Sequence, residues 1–346
     1  MTAAKPGDAA LSAAVIRWQR SHGRHGLPWQ GTRDPYRVWL SEVMLQQTQV
    51  GTVLDYYPRF LARFPDVQAL AAAPLDDVLA LWSGLGYYSR ARNLHRCAQA
   101  VVAEHGGAFP RRSETLATLP GIGRSTAAAI AAFCFGERAA ILDGNVRRVL
   151  ARALGFDGDL ASATEVNRLW VQAEALLPGR DVDVYTQGLM DLGATVCLAR
   201  KPSCMLCPLT EACVARAGGE PERLPVKSRR LKRGRRMHAL LWLRRAGKVY
   251  LVQRPAKGVW AALWSLPEFD ASAALEDLVE GWPGEGEWLP NVEHALTHFD
   301  WTLQPMQWTL PARGKPPEGL PDGRWFTLVE ALALGLPAPI RRLLER

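Results

Sequence analysis

A mainly helical N-terminal domain followed by a smaller α+β domain is the fold class that this 346-residue chain predicts. Three observations carry it. Up to residue 216, apolar side chains recur at three- and four-residue spacing, the mark of amphipathic helices. From residue 237 the texture changes to short alternating runs bounded by Gly and Pro turns, which read as strands. Between them lies AGGEPERLPVKSRRLKRGRRM (217–237), where Lys227, Arg229, Arg230, Lys232, Arg233, Arg235 and Arg236 crowd the ten residues 227–236 without one acid. A chain this long also exceeds what a single core usually organises.

Taken in order, residues 1–10 (MTAAKPGDAA) read as a flexible tail without the basic-then-apolar pattern of a signal peptide. Residues 11–216 are expected to form the helical domain. Within it, PYRVWLSEVMLQQTQV (35–50), LDDVLALW (75–82), ARNLHRCAQAVVAEHG (91–106) and EVNRLWVQAEALL (165–177) carry the helical period. The segment ETLATLPGIGRSTAAAIAAFCFG (114–136) reads as helix, tight turn, helix. Pro120 stops the first helix, and Gly121 and Gly123 are expected to supply positive φ and close backbone approach. The second helix should begin near Arg124 with its free N–H groups facing outward. Such an end binds anions, a DNA phosphate among them, although an ordinary packed corner has the same look.

The basic run, residues 217–236, reads as a linker, either solvated or strapped across phosphates. Residues 237–346 make the second domain. HALLWLRR (238–245), KVYLVQRP (248–255), HFDWTLQPMQWTL (298–310) and GRWFTL (323–328) alternate as strands, and IRRLLER (340–346) closes the chain as a helix.

Composition bounds the partners. Of 42 Lys/Arg and 34 Asp/Glu, 31 and 21 fall in residues 1–236, leaving 11 and 13 in the remainder. A basic N-terminal two-thirds favours a polyanionic partner, nucleic acid first. The longest apolar run, AAAIAAF (127–133), is far short of the roughly 18 residues of a membrane span. A cytoplasmic protein without a membrane partner is the expectation.

Four of the six Cys cluster as C-x6-C-x2-C-x5-C: Cys197, Cys204, Cys207 and Cys213. Four thiolates within so short a segment can converge on one metal centre, and a cytosolic disulfide framework is disfavoured. Tetrahedral zinc usually asks for two close pairs, and only one exists here. Iron–sulfur clusters accept wider spacing. The spacing alone leaves iron–sulfur, zinc and unrelated thiols open.

One acid stands out. Glu42 is the single charge in SEVMLQQTQV (41–50), and its helical neighbours Val38, Trp39, Leu45 and Gln46 offer no cation. It is either a partly exposed helix acid or a carboxyl kept protonated by apolar surroundings. Asp143, opening the helix NVRRVLARAL, reads as an ordinary N-cap.

The LPGIG hairpin, the Asp about twenty residues on in ILDGNVRRVLAR, and the four-Cys spacing together resemble the helix–hairpin–helix DNA glycosylases. LPW (27–29), SEVMLQQTQV, GLGYYSRARNLH (84–95) and DGNVRRVLAR are similar to the MutY-type adenine glycosylases within that superfamily. The resemblance runs from about Leu11 to the end of the chain. It implies a monomeric enzyme acting on duplex DNA with adenine opposite 8-oxoguanine or guanine, and one [4Fe–4S] cluster on Cys197, Cys204, Cys207 and Cys213.

It also implies roles. Glu42 would protonate the departing adenine at N7, Asp143 would stabilise the cationic sugar, and Asn145 would position these groups. Gln30, Trp29 and Gln187 would line the adenine pocket. Gln47 and Tyr87 would press into the helix, with Tyr88 assisting, while Gly121, Gly123 and Ser125 would face the DNA. Superfamily members that nick the strand carry a Lys where this chain has Ser125, so a monofunctional glycosylase is implied. The C-terminal domain resembles a Nudix fold through GVWAALWSLPEF (258–269) but lacks the acid-rich metal box, which implies a reader. Leu296, Thr297 and His298 would be its 8-oxoguanine contacts, standing where the family places Phe-Ser-His. The alternatives are another glycosylase of the superfamily and a non-catalytic iron–sulfur DNA-binding protein. A Nudix-type nucleotide hydrolase is disfavoured by the missing box.

Overall fold

The computed structural model describes residues 6–228, 233–314 and 317–346. Residues 1–5 of the expected tail, and Arg229, Arg230 and Lys232 of the basic run, lie outside the described residues. The helices in chain order are α1 (Pro6–His22), α2 (Pro35–Leu45), α3 (Val50–Arg63), α4 (Val67–Ala72), α5 (Leu75–Trp82), α6 (Ser89–His105), α7 (Ser113–Leu116), α8 (Arg124–Phe135), α9 (Gly144–Leu154), α10 (Ala163–Ala175), α11 (Val182–Thr195) and α12 (Val214–Ala217). Strands β1 (Gly234–Arg245), β2 (Lys248–Gln253), β3 (Trp264–Ser265), β4 (Glu268–Phe269), β5 (Glu285–Trp288), β6 (Val292–Ala295), β7 (Phe299–Thr309) and β8 (Arg324–Thr327) follow, with α13 (Ser272–Val279), α14 (Leu328–Leu332) and α15 (Ala338–Leu344) among and after them.

These elements form two compact units: Met1–Ala71 with Arg96–Arg230, and Ala72–His95 with Leu231–Arg346. The first is helical throughout. Its core gathers Val15 of α1, Leu150 of α9 and Leu192 of α11, all fully buried. Helices α9 and α11 approach closely because α11 presents Gly193, where a Cβ would stand 2.7 Å from the Asn145 Cβ. The ends of α9 are set by sequence: Asp143 caps its first turn, and Gly155 takes the left-handed φ of 66° that ends it.

The helix–turn–helix is present with two differences from expectation. Only Ser113–Leu116 is helical before the turn, and irregular turns then lead into α8. Gly121 has the positive φ, 76°, that favours glycine, whereas Gly123 sits at φ −85° as the N-cap of α8. Nothing lies within 4 Å of the Cβ that Gly123 lacks. Its contribution is therefore open backbone at a helix start, not turn geometry.

The part of the basic run that is described is not free in solution. Leu160 and Ser228 amides donate to the Val226 carbonyl and the Asp159 carboxylate, and Arg152 Nε donates to the Leu224 carbonyl. Arg233 pairs with Asp300, and β1 begins at Gly234, so Arg235 and Arg236 belong to a strand.

In the second unit β1 and β7 pair in parallel from Gly234–Phe299 to Arg244–Thr309. The path β3-β2-β1-β7-β5 runs outward on both sides, with β4 also on β1, β8 on β2 and β6 on β7. Ala239–Leu243 of β1 are buried without alternation, as a strand covered on both faces requires. On one face α13 sets Leu275 against Leu241, Leu243 and Met306. Strands β5 and β6 went unread in the sequence; all four residues of β5 are exposed and carry no apolar period.

Residues 72–95 join this unit by specific bonds. Ser83 Oγ and Tyr88 OH both donate to the Leu336 carbonyl at 3.0 Å. Arg92 Nη1 donates to the Ala261 carbonyl at 2.8 Å, and Gln253 Nε2 donates to Asp76 at 3.3 Å.

Candidate active site

A cavity of about 1070 Å³ opens in the helical unit, and Glu42, Asp143, Asn145, Ser125, Trp29, Gln30, Gln47 and Gln187 all line it. Glu42 comes from the middle of α2. That helix is fixed at its start by Pro35 and by Asp34, whose carboxylate accepts the Tyr36 amide at 2.9 Å. Most of its apolar residues turn inward, with Val38, Trp39, Val43 and Met44 buried.

The Glu42 side chain is half-buried, and among the described residues no group donates a hydrogen bond to it. Burial pushes its carboxyl up to about 8, and the field of Asp143 adds to the rise. Nothing acts in the other direction. Asp143 is also raised, chiefly by burial. It is opposed, however, by the amides of Val146 and Asn145 and by the charges of Arg148 and Arg147. The Val146 amide donates at 2.7 Å, the helix cap read from sequence. Two coupled carboxyls are thus pushed apart: one surrounded only by influences that favour its acid form, the other supported as an anion.

The ordering groups sit around them. Ser125 Oγ accepts the Leu142 amide at 2.9 Å, so the hydroxyl fastens the residue before Asp143. Asn145 Oδ1 accepts Arg148 Nη2 at 2.8 Å. The same guanidinium donates to the carbonyls of Gly193 at 2.6 Å and Cys197 at 2.7 Å. On the far wall Gln187 Nε2 donates to Asp191 at 2.8 Å. Asp191 is fully buried and also takes the backbone amide of Arg24 and its Nε. Gln30 Oε1 accepts the Leu27 amide at 3.1 Å, and Trp29 stands edge-on to Tyr57. Gln47 is exposed, with a left-handed φ of 56°.

Asp191, Arg24 and Arg148 were not singled out by sequence. A signal existed for Asp191, because it repeats the lone-acid pattern of Glu42 within the largely apolar LMDLGA. For Arg148 the clue is spacing: Asn145, Arg148 and Arg152 fall at i, i+3 and i+7 of α9.

The four cysteines of the segment 197–213 are half-buried. Cys207 feels the other three thiols electrostatically, and Cys213 feels those of Cys197 and Cys204. Arg152 Nη1 donates to Cys197 Sγ at 3.4 Å. The Leu209 amide donates to Cys207, and the Arg216 and Ala215 amides to Cys213. Among the described residues no three His, Cys, Asp or Glu side chains converge as they would around a single ion.

The C-terminal candidates separate. Leu296, Thr297 and His298 form the turn between β6 and β7, with Thr297 and His298 exposed. Tyr87, 47% exposed and held at φ 48°, reaches Thr297, hydroxyl to hydroxyl at 3.4 Å. Arg90 lies beneath the Tyr87 ring at 5.5 Å and donates to the carbonyls of Leu85 and Gly86. Tyr88 is a correction. It was expected beside Tyr87 at the DNA, yet it is buried and spends its hydroxyl on Leu336. Consecutive residues in this turn leave on opposite sides, and only one can be free.

Residues 40–172 match the HhH-GPD superfamily base excision DNA repair protein family, and residues 238–346 match the NUDIX domain. Over 338 residues the chain is 34% identical to an adenine DNA glycosylase of Buchnera aphidicola from Acyrthosiphon pisum, covering 97% of both. It is also 34% identical to the Homo sapiens adenine DNA glycosylase over 389 residues, covering 93% of this chain and 71% of that one. Among solved structures a thermostable thymine-DNA glycosylase is similar to 61% of the chain and 97% of its own, at 29% identity and a TM-score of 0.55. No described helix is long and apolar enough to cross a membrane. With both domain matches in place and relatives aligned over nearly its whole length, the chain belongs to the adenine DNA glycosylase family.

Proposed function

We propose that this protein hydrolyses the N-glycosidic bond of adenine mispaired with 8-oxoguanine, or with guanine, in duplex DNA. The observation that carries the reading is Glu42: an unpaired carboxyl raised to about 8, lining a cavity beside a second carboxyl supported as an anion. Glu42 gives its proton to N7 of the flipped base. The C1′–N9 bond then breaks with its electron pair passing to the base, and the Asp143 carboxylate stabilises the cationic sugar. Water adds at C1′ and loses a proton, leaving an abasic site. Asn145, fixed by Arg148, orients the pair.

Trp29, Gln30 and Gln187 form the walls against which the adenine is read, while Gln47 and Tyr87 press into the space it leaves. Gly121 and Gly123 bring the hairpin backbone to a phosphate. Ser125 has no amine with which to form a Schiff base, so the strand stays intact. Residues 11–216 constitute the catalytic domain and 237–346 the lesion reader, with Leu296, Thr297 and His298 at the oxidised guanine.

Cys197, Cys204, Cys207 and Cys213 hold one [4Fe–4S] cluster. Four half-buried thiols within one segment, with the Arg152 guanidinium on Cys197 and backbone N–H groups on Cys207 and Cys213, suit a cubane with one cysteine on each iron. Such a cluster supplies a covalent fastening of the loop.

Single-turnover assays on end-labelled duplexes test the proposal. Adenine opposite 8-oxoguanine and adenine opposite guanine should both yield product, and only after alkali. Cleavage of thymine opposite guanine would instead favour the activity named for the thymine-DNA glycosylase neighbour. Strand breaks without alkali would refute the part given to Ser125.

A further inference from the structure

A groove of about 450 Å³ lies between α13 and β5 in the C-terminal unit, and none of its lining residues has been given a role above. Val279 and Met306, both buried, belong to its lining, together with the indoles of Trp282, Trp288 and Trp308. Glu276, Asp277 and Glu280 stand beside these rings and are exposed, Glu287 borders the groove from the opposite face of β5, and among the described residues no Lys or Arg lines it.

The indoles are set in place. Trp308 Nε1 donates to the Pro283 carbonyl and Trp288 Nε1 to the Glu276 carboxylate, both at 3.2 Å. Trp308 lies against β5 because residue 286 is glycine, where a Cβ would come within 2.2 Å of the ring. Trp288 nevertheless remains 41% exposed. A half-open tryptophan beside carboxylates is costly to leave in water and well suited to a cation.

Strand β5 adds a second, independent feature. It pairs with β7 alone, from Glu285–Thr309 to Trp288–Met306, and ends the strand path. Its outer N–H and C=O groups therefore face outward, the arrangement to which an extended segment adds as a further strand. The sign of the charge selects the occupant. Carboxylates repel phosphate, so a nucleic acid is excluded, and residues 237–346 as a whole lack the cationic surplus of the rest of the chain.

We propose that the β5 edge and this groove dock an extended, Lys- or Arg-bearing segment of a partner protein. Its backbone adds alongside β5, and its cationic side chains lie over Trp288 and between the carboxylates. No residue of the groove has a part in the proposed base excision.

The probe is a fluorescein-labelled seven-residue peptide of alternating arginine and valine, titrated into the full-length protein and followed by anisotropy. Hydrogen exchange is measured at residues 285–288. Saturable binding with slowed exchange in β5 is expected, and a glutamate-for-arginine version of the peptide should not bind. The double variant Asp277→Lys/Glu280→Lys should bind about tenfold or more weakly, and Trp288→Ala severalfold more weakly, with adenine release unchanged in both. Several results would overturn the proposal: no saturable binding, equal affinity for the double variant or the anionic peptide, or binding without protection of β5. Protection of β5 in the absence of peptide, rising with protein concentration, would assign the edge to a second copy of the chain instead.

Discussion

Helix α2 carries its carboxyl in mid-helix and α9 carries its own at the N-terminus, and that difference sorts two identical groups into two roles. Mid-helix amides are already committed to the helix ladder, so Glu42 meets only side chains; those of α2 are apolar beside it, and the charge of Asp143 across the cavity only raises it further. At a helix start the amides are free, and Asp143 collects two of them together with the positive end of α9. Placement along a helix, more than residue type, decides how far other groups oppose the rise that burial imposes on each carboxyl. Two substitutions test this directly. Glu42→Gln retains shape and removes the acid; single-turnover adenine release should fall by about 10²–10⁴, while the Kd for the mispaired duplex stays close to that of the parent. Asp143→Asn retains a competent cap, so α9 should stay folded while release falls strongly. If Asp143→Asn retained near-full rate, the carboxylate would be a cap and nothing more.

The same comparison sets the pH dependence. If Glu42 is the proton donor proposed above, the rate should be level below about 8 and decline with rising pH above it. Stability follows with a defined sign. The carboxyl has an ordinary value of 4.5 and a folded value of about 8. Below 4.5 both folded and unfolded chains hold the proton and folding costs nothing extra. Between 4.5 and 8 the unfolded chain releases its proton while the native state keeps it, so stability is lost across that window. Glu42→Gln should therefore melt higher than the parent by a margin that grows from pH 5 to pH 8, even as it loses activity. A margin constant with pH would show that the carboxyl is not raised.

A smaller effect is expected one step away from the reacting groups. Arg148 ties Asn145, in the first turn of the helix that Asp143 caps, to the carbonyl of Cys197 on the cysteine loop. Arg148→Gln leaves the Gly193 and Cys197 carbonyls without their donor, at about 1–3 kcal/mol for each group left unpaired. If a similar amount of positioning is lost at Asp143, release slows by about tenfold or somewhat more. Iron content should match the parent. Parallel loss of iron and rate would mean that the arginine serves the loop alone.

What the sequence could disclose was local. The period of α5 and α10, the hairpin ahead of α8, the Asp143 cap and the four-cysteine segment all lie within short windows, where spacing reports structure directly. Glu42 was legible for the same reason, since a charge with only apolar and amide neighbours is conspicuous. What escaped depends on partners remote in the chain. Asp191 holds Arg24 across 167 positions, and Tyr88 finds Leu336 across 248. No window shows such a pairing, so the turn 84–88 gave no sign that it folds with the C-terminal unit. Strand β5 escaped because exposure on all four residues erased the alternation by which strands are read.

Tyr87 and Tyr88 offer the finest comparison and the smallest expected effects. Both follow Gly86, but the positive φ of Tyr87 throws its ring outward over Arg90, whereas Tyr88 turns into the unit and hydrogen-bonds Leu336. Tyr88→Phe deletes one buried hydrogen bond, and thermal or urea unfolding should register a loss of about 1 kcal/mol with no change in adenine release. Tyr87→Phe deletes only a long hydroxyl contact to Thr297 and should leave stability where it was. Its consequence, if the turn reads the opposite base, is a modest narrowing of the rate ratio between 8-oxoguanine and guanine duplexes. Equal ratios in parent and variant would remove Tyr87 OH from that reading and leave the ring alone as the wedge. Destabilisation by Tyr87→Phe equal to that of Tyr88→Phe would show that the exposed tyrosine is a structural element of the unit and not a free side chain awaiting DNA.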